Sequence, residues 1–396
     1  MTKICLLPIF LLLTVVALAN ITIEINAGDF DRKETLISFP VPRELSSVDH
    51  FSLRNMDNRA KVGIQRKDSL LFFVLDQPLA AGQSRQYQLS SRKRSADYSA
   101  KALYRLPEVI LSIDDQTVLH YHIQEKLAPG QPEYYKRSGF IHPLKTPGGK
   151  ILTDDFPLGH AHQHALFFAW RNTTYKGENV DFWNQQDKTG TVGHQKLIDH
   201  FSGEVLTGFQ SRLEHLSLKQ GVVLEETWAV SATKAGPYFI VDLQSIQENT
   251  SKDTLFIHQY LYGGLGLRGS KHWNRDDSLN YTGEMNILTS ESKTRVEANH
   301  TKPQWIKMFG EIEKIEAGLL AMGHPGNFRS PQSIRVHPEM PYFCFAPVVD
   351  GAFDLLPGQV FESSFRFILY DNELSETEAE RLWKDYMSPV EVKLVE

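Results

Sequence analysis

The sequence has little that could cross-link it. It contains only two cysteines among 396 residues, Cys5 and Cys344. Cys5 lies in an N-terminal segment that we expect to be removed, so no intramolecular disulfide can form and stability must come from a large core. Cys344 stands alone among aromatic residues in PYFCFAP. That setting is typical of a small buried hydrophobe, and we predict no nucleophilic role for this thiol.

The chain also lacks a strong excess of charge of one sign. Its formal net charge is -6, and 23% of its residues are charged, as in an ordinary globular protein. This balance gives no reason to expect nucleic acid or an anionic membrane as a partner. After the N-terminal segment, no run is long and apolar enough to cross a bilayer. We therefore expect neither partner once that segment is cleaved.

The motifs of several common enzyme classes are missing. There is no G-x-S-x-G nucleophile elbow and no H-E-x-x-H zinc motif. The glycines of LYGGLGLRGSKHWN do not have the spacing of a phosphate-binding loop. These absences argue against a serine hydrolase of that type, a zincin and a nucleotide-binding protein.

The first residues, MTKICLLPIFLLLTVVALAN, have the three parts of a secretory signal. Lys3 supplies the positive start, a short apolar run follows, and Ala17-Leu18-Ala19 fits a small-x-small cleavage site. We predict a signal peptide over residues 1–19 and export to the periplasm or the extracellular space.

The remaining pattern predicts an all-β protein. Short strand-like runs with Pro and Gly between them predict a small β-sandwich over residues 20–91, followed by a polar linker over 92–102. Longer aromatic and β-branched runs predict a large β-sandwich or supersandwich domain over 103–396. The capping box Ser375-Glu376-Thr377-Glu378 predicts a C-terminal helix, with Trp383 on the face that packs against the sandwich.

The stretch LGHAHQHALFFAW places His160, His162 and His164 at every second position. In an extended strand these side chains share one face, and neighbours lie about 7 Å apart. Two of them could then reach one metal ion, whereas the outer pair is about 13 Å apart. His160 and His162 are therefore candidate metal ligands, and a divalent metal ion is the candidate cofactor. The alternative is a hydrogen-bonded polar wall of a cleft.

Three loop segments are rich in His, Arg and Trp, which predicts a carbohydrate site on a rigid β scaffold. Imidazole has an unperturbed pKa near neutrality, so it can both take and give a proton. Tryptophan can stack on a sugar ring, although a core position for Trp183 is an equal alternative. The candidate catalytic residues are His142, His162, His164, Arg335 and His337. The candidate substrate-binding residues are Lys145, Trp183, Arg268, Trp273, His324 and Arg329.

The run HPLKTPGGKILTDDFPLGHAHQHALFFAW…DFWN resembles the signature of the PmoA-like family of exported bacterial proteins of unknown function. GGLGLRG, MGHPGNFRSPQSIRVHP and RLWKDYMSP resemble later segments of that family, so the resemblance covers residues 103–388. It departs at Gly159 and Gly323, where the family commonly has Asp. The resemblance implies a β-rich protein associated with carbohydrate use. A methane-oxidising subunit, which the family name suggests, would need several membrane spans and is rejected.

The first functional hypothesis is an exported lyase, hydrolase or epimerase that acts on a carbohydrate or a sugar-derived small molecule through histidine acid/base chemistry. The second is a non-catalytic carbohydrate-binding protein. The third is a histidine-ligated metal-binding protein.

Overall fold

The computed structural model describes residues 20–93 and 98–395. In this part of the chain, 28 strands form five antiparallel sheets, with one α-helix and five short 3-10 helices. The all-β prediction is confirmed. The predicted signal peptide, residues 1–19, lies outside the described residues. No helix in the described part is long and apolar enough to cross a membrane.

The N-terminal strands form a small sandwich of two sheets with its own core. Strands β28-β1-β7-β3-β4 make one sheet, and β2-β6-β5 make the other. The C-terminal residues are predicted to belong to the large domain, whereas the last strand, β28, pairs with β1 in this sandwich, with Ile23 opposite Leu394. The strands are β1 Ile21–Asn26, β2 Leu36–Pro40, β3 Phe51–Asn55, β4 Lys61–Val62, β5 Gln65–Lys67, β6 Leu70–Val74, β7 Ser84–Ser91 and β28 Glu391–Val395.

The large domain contains an eight-stranded sheet, which we call the cleft sheet, in the order β24-β25-β20-β12-β11-β10-β9-β8. Its strands are β8 Ala100–Arg105, β9 Glu108–Ile113, β10 Gln116–His122, β11 Phe140–Leu144, β12 Leu166–Ala169, β20 Gly264–Arg268, β24 Ile334–Val336 and β25 Tyr342–Phe345. The first of them begins inside the predicted linker, whose residues 94–97 are outside the described part.

A second eight-stranded sheet, the back sheet, has the order β15-β16-β17-β18-β27-β23-β22-β21. Its strands are β15 Gly190–Phe201, β16 Leu206–Ser217, β17 Gly221–Ala235, β18 Tyr238–Asn249, β21 Asn286–Thr289, β22 Trp305–Ile312, β23 Ile315–Gly323 and β27 Val360–Asp371. A four-stranded sheet consists of β13 Thr173–Tyr175, β14 Glu178–Val180, β19 Leu255–Ile257 and β26 Phe353–Leu355. The 3-10 helices are Arg43–Leu45, Glu133–Tyr135, Gln185–Asp187, Lys271–Trp273 and Pro347–Asp350.

The cleft sheet and the back sheet pack face to face and bury the main core. Tyr121 of the cleft sheet stacks on Phe209 of the back sheet, with ring centroids 4.6 Å apart. Phe345 meets Phe365 across the same gap at 4.9 Å. Because both inner faces carry large apolar side chains, stacking removes them from water together. Cys344 is fully buried in this core, and burial raises the pKa of its thiol to about 11.

The single α-helix of the described part, α1 Glu376–Met387, begins at the predicted capping box. The Ser375 hydroxyl oxygen accepts a hydrogen bond from the Glu378 amide at 3.2 Å. Trp383 is buried in a cluster with residues of the back sheet, as the apolar periodicity predicts. Asp385 forms a buried ion pair with Arg32 of the small sandwich at 3.0 Å. The helix thus packs against both parts of the molecule.

Candidate functional site

The histidine stretch is not a strand. Residues 158–163 form two consecutive turns, in which the His160 amide bonds the Pro157 carbonyl at 3.1 Å and the Gln163 amide bonds the His160 carbonyl at 2.9 Å. Gly159 has a φ of +84°, which reverses the chain at the start of these turns. The prediction that three imidazoles share one face of a strand is therefore wrong.

His164 is fully buried and is held on both sides. Its Nδ1 lies 3.1 Å from Oδ1 of Asp155, and its Nε2 lies 2.8 Å from Oε1 of Gln185. The Asp155 carboxylate is also 3.0 Å from the Lys126 ammonium. Burial would raise the pKa of Asp155, but the hydrogen bond and charge of His164 and the charge of Lys126 hold it below its usual value. His164 cannot touch a ligand in this arrangement, so it is a positioning residue that fixes the histidine turns to the sheet.

Three other histidines converge at one end of the cleft sheet, just before β12 and just after β24. The ring centroids of His160 and His162 are 5.6 Å apart, and those of His160 and His337 are 6.4 Å apart. All three side chains are half-buried. We call this group, together with Arg268 and Arg335, the histidine cleft. It brings together residues from three predicted loop segments.

The imidazoles of the histidine cleft are neutral at neutral pH. Burial lowers the pKa of His162 to about 3, and the neighbouring rings of His160 and His164 act in the same direction. Burial likewise lowers the pKa of His337 to about 4, aided by the charge of Arg335. The neutral ring of His162 can accept a proton, accept a hydrogen bond or bind a metal. Nδ1 of His337 accepts hydrogen bonds from the amides of Glu339 at 3.1 Å and Met340 at 3.0 Å, so in the neutral ring the proton lies on Nε2, which is a donor.

Arg268 lies beneath the histidine turns and is fully buried. Its Nη1 donates to the Gln163 side-chain oxygen at 3.0 Å, while its Nε and Nη2 have no hydrogen-bond partner among the described residues. Burial lowers its pKa to about 10, against the opposing charge of Asp154, so the guanidinium remains positive. Arg335 is half-buried and donates to the Asn299 side-chain oxygen at 2.9 Å. The neutral rings thus lie beside two fixed positive charges.

His142 does not join the histidine cleft and lines a neighbouring cavity of about 330 Å³. Its Nδ1 lies 3.0 Å from the Thr153 hydroxyl, and burial lowers its pKa to about 3. Asp154 lines the same cavity, and burial raises the pKa of this carboxyl to about 6. Asp154 is not among the residues predicted from the sequence, because spacing along the chain does not show which acids line a cavity. The signal for it was the adjacent pair of acids in LTDDFP, just before the histidine turns.

Trp183 and Trp273 are each 1% exposed, so the prediction that they are sugar platforms is wrong. The Trp183 indole packs on Phe167 with centroids 4.5 Å apart. A Cβ atom added at Gly266 would lie 2.6 Å from the same indole, so glycine is needed there for close packing. Both tryptophans fill the core, as expected of large apolar side chains.

The remaining predicted binding residues lie away from the histidine cleft. Arg329 donates hydrogen bonds to the carbonyls of Pro347, Gly351 and Ala352 and so stabilises the loop that they form. His324 packs against Tyr386 with centroids 5.5 Å apart. Lys145 lies at the base of a hairpin, and its backbone amide donates to the Val118 carbonyl. The structure thus assigns contacts within the fold to Arg329 and His324 instead of a place in the cleft.

No group of three or more His, Cys, Asp or Glu side chains in the described part is arranged to hold a metal ion. The predicted pair, His160 and His162, supplies two neighbouring imidazoles. A metal there would need further ligands from outside the protein.

Residues 108–384 match DUF6807, a family of unknown function. The chain belongs to this family. The match agrees with the predicted membership of a family of unknown function, while the PmoA-like name stays a prediction. No curated protein matches the chain.

Several solved structures are similar to the chain at low sequence identity. An alpha-mannosidase from Enterococcus faecalis aligns at a TM-score of 0.42 and 8% identity, over 95% of this chain and 46% of its own length. A GH36 alpha-galactosidase from Geobacillus stearothermophilus aligns at 0.33 and 10% identity, over 69% and 41%. A galactose mutarotase related enzyme from Lactobacillus acidophilus aligns at 0.28 and 9% identity, over 69% and 100%. This chain spans less than half the length of the first two, and none of the scores is high enough to support a conclusion about function.

Proposed function

We propose that this protein binds a carbohydrate or a sugar-derived small molecule in the histidine cleft and transfers a proton there. The supporting observation is the convergence of His337 with His160 and His162, which belong to a distant segment of the chain, within 6.4 Å between neighbouring ring centroids. Side chains that meet only through tertiary folding, on loops over a rigid sheet, are typical of a functional site.

The charges of the cleft favour one kind of chemistry. His162 begins in the neutral, proton-accepting form, because its pKa lies well below 7. His337 is also neutral, but its Nδ1 accepts from two backbone amides, so its Nε2 carries a proton that it can donate. A proton taken from the carbon next to a carbonyl leaves its electron pair on the carbonyl oxygen as an enolate. A nearby guanidinium such as that of Arg335 stabilises this negative charge. Expulsion of a leaving group then gives a lyase, and return of a proton to the other face gives an epimerase. Among the three predicted reactions, this arrangement supports hydrolysis least.

The test is an assay of the purified protein on a panel of glycans and keto-sugars, with solvent deuterium incorporation followed by NMR. We expect exchange or turnover on at least one sugar, reduced about 100-fold or more in His162→Gln and His337→Gln. The control is His200→Gln, since that histidine is exposed on β15 away from the cleft. Absence of any reaction across the panel, or full activity in both variants, would overturn the proposal.

A metal-binding role is the second candidate, because His160 and His162 present two neighbouring imidazoles. Metal analysis after native purification tests it. Bound Zn, Cu or Ni that is lost in the His160→Ala and His162→Ala double variant would support this role. A protein that is isolated without metal and takes up none of these ions would exclude it.

Non-catalytic carbohydrate binding is the remaining alternative. Because Trp183 is buried, its replacement would damage the core and not a binding face. Saturable glycan binding without turnover, insensitive to the histidine variants, would support this alternative over the enzyme.

We also propose that the protein is exported and that it is a PmoA-like protein. Both proposals are supported by the signal-like composition of residues 1–19 and by the order of the motifs along the chain. N-terminal sequencing of the protein from its natural host should find Asn20 as the first residue. A mature protein that still begins at Met1 would contradict cleavage.

A further inference from the structure

The cavity lined by His142 lies beside the histidine cleft and opens to the surface at Ile151, which is 38% exposed. Its volume of about 330 Å³ is at the lower end of the range for small-molecule sites, which suits one small ligand. Its walls come from the hairpin after β11, the segment before the histidine turns, the 3-10 helix after β20 and the turn between β22 and β23. The polar side chains that line it include His142, Lys150, Thr153, Asp154, Ser270 and His272.

The roof of the cavity is held rigidly. The hairpin tip is tied to Asp371 at the end of β27, through the Thr146 hydroxyl at 2.6 Å and the Gly148 amide at 2.6 Å. A Cβ atom at Gly148 would lie 2.7 Å from the Asp371 carboxylate, so a larger residue there would have to displace this side chain and break its hydrogen bonds to the hairpin. A roof fixed in this way preserves the shape of the cavity without a ligand.

The Asp154 carboxylate is poorly satisfied by the protein. Its Oδ1 accepts one hydrogen bond, from the Asp155 amide at 3.0 Å. Within residues 20–93 and 98–395, it forms no ion pair within 4.0 Å with Lys, Arg or His. The side chain is half-buried, and burial raises its pKa to about 6 against the opposing charge of Arg268. Its remaining acceptor positions are available to a ligand.

His142 supplies a hydrogen-bond donor to complement the Asp154 acceptor. The Thr153 hydroxyl oxygen accepts from the Leu144 amide at 3.1 Å, so its own hydrogen can point to His142 Nδ1 at 3.0 Å. In the neutral ring the proton then lies on Nε2, which becomes a donor. The cavity therefore combines a carboxylate acceptor with an imidazole donor.

The charged side chains that line the cavity balance one another. Lys150 and Glu313 form an ion pair, Lys271 offsets the carboxylate of Asp154, and Ile151 and Ile312 supply apolar wall. A ligand with a net charge would therefore meet no excess of the opposite charge, whereas hydroxyl groups can both donate to Asp154 and accept from His142. We propose that this cavity binds one neutral polyhydroxylated molecule of the size of a single sugar ring, with Asp154 as its principal acceptor. This site is distinct from the histidine cleft.

The test measures binding of glucose, galactose, mannose and xylose by calorimetry and saturation-transfer NMR, with glucuronate and glucosamine as charged comparisons. We expect saturable binding of at least one neutral sugar, weakened about tenfold or more in Asp154→Asn. Ile151→Trp fills the cavity from a side chain at its partly exposed rim and should also abolish binding. The matched control is Asp253→Asn, which removes an exposed carboxylate paired with Lys176 and should leave the affinity unchanged.

Unchanged affinity in both Asp154→Asn and Ile151→Trp, or no binding of any of the four neutral sugars, would overturn the inference. The readout is a binding constant and not turnover. It therefore separates this site from the proposed reaction: His162→Gln should lose turnover while its affinity for the cavity ligand stays at the wild-type value.

Discussion

The interior of the large sandwich and the cavity beside the histidine cleft each contain an acid and a histidine, but the two acids differ in the hydrogen bonds that the protein gives them. In the interior, the Glu226 carboxylate accepts hydrogen bonds from Trp228 at 2.7 Å and from Ser245 at 2.5 Å, and it lies 2.8 Å from His215 Nε2. In the cavity, the half-buried Asp154 accepts a single hydrogen bond, from the next residue. Interior polar groups whose partners all come from the protein serve the fold, whereas groups left short of partners beside a cavity are available for ligands.

We expect the largest effect on stability from replacing Glu226, the shared hydrogen-bond acceptor of the interior. Glu226→Ala leaves the Trp228 indole, Ser245 and His215 without their common acceptor in a dry core. We expect a loss of about 3–5 kcal/mol in the free energy of unfolding, measured by chemical denaturation. Glu225→Ala is the control, because its ion pair with Arg212 is partly exposed and should cost less than about 1 kcal/mol. Equal losses in the two variants would contradict the comparison.

A smaller effect should separate two histidines of the same stretch. His164→Ala removes a buried partner of Asp155 and should lower the free energy of unfolding by about 2–3 kcal/mol. His162 makes no hydrogen bond within the described part, so His162→Ala should change stability by less than about 1 kcal/mol. Thermal and chemical denaturation of the two variants check this. If His162→Ala were the more destabilised, the division into positioning and ligand-facing histidines would be wrong.

The smallest effect should have the opposite sign. The pKa of Asp154 is about 6 in the folded protein and lower in the unfolded chain, so the unfolded chain loses its proton first as pH rises. Asp154 therefore reduces stability between about pH 4 and pH 6, and the loss is complete above that window. Asp154→Asn should match the wild type near pH 4 and be more stable by about 1 kcal/mol at pH 7, after allowance for solvent screening.

Denaturation curves of Asp154→Asn and the wild type at both pH values provide this measurement. A variant less stable than the wild type at pH 7 would show that the protein itself satisfies this carboxylate. Asp154 would then resemble Glu226, and the contrast between the two regions would disappear.

The sequence by itself determined the all-β class and the C-terminal helix, because period-two alternation, turn residues and a capping box act over a few neighbouring residues. It also identified the histidine segment and His337 as candidates. It misjudged the local shape of that segment, since Gly159 reverses the chain where alternation suggested a strand. It proposed Trp183 and Trp273 as sugar platforms and left a core position open for Trp183, because composition cannot tell a core indole from an exposed one.

Tertiary structure alone decided which side chains meet. His337 reaches His160, His164 turns inward to Asp155, and Asp154 shares a cavity with His142, through contacts between segments whose spacing in the chain carries no distance information. The physical reason is that burial and charge depend on the neighbours supplied by packing. Only packing could therefore separate the partnered histidine from the available ones.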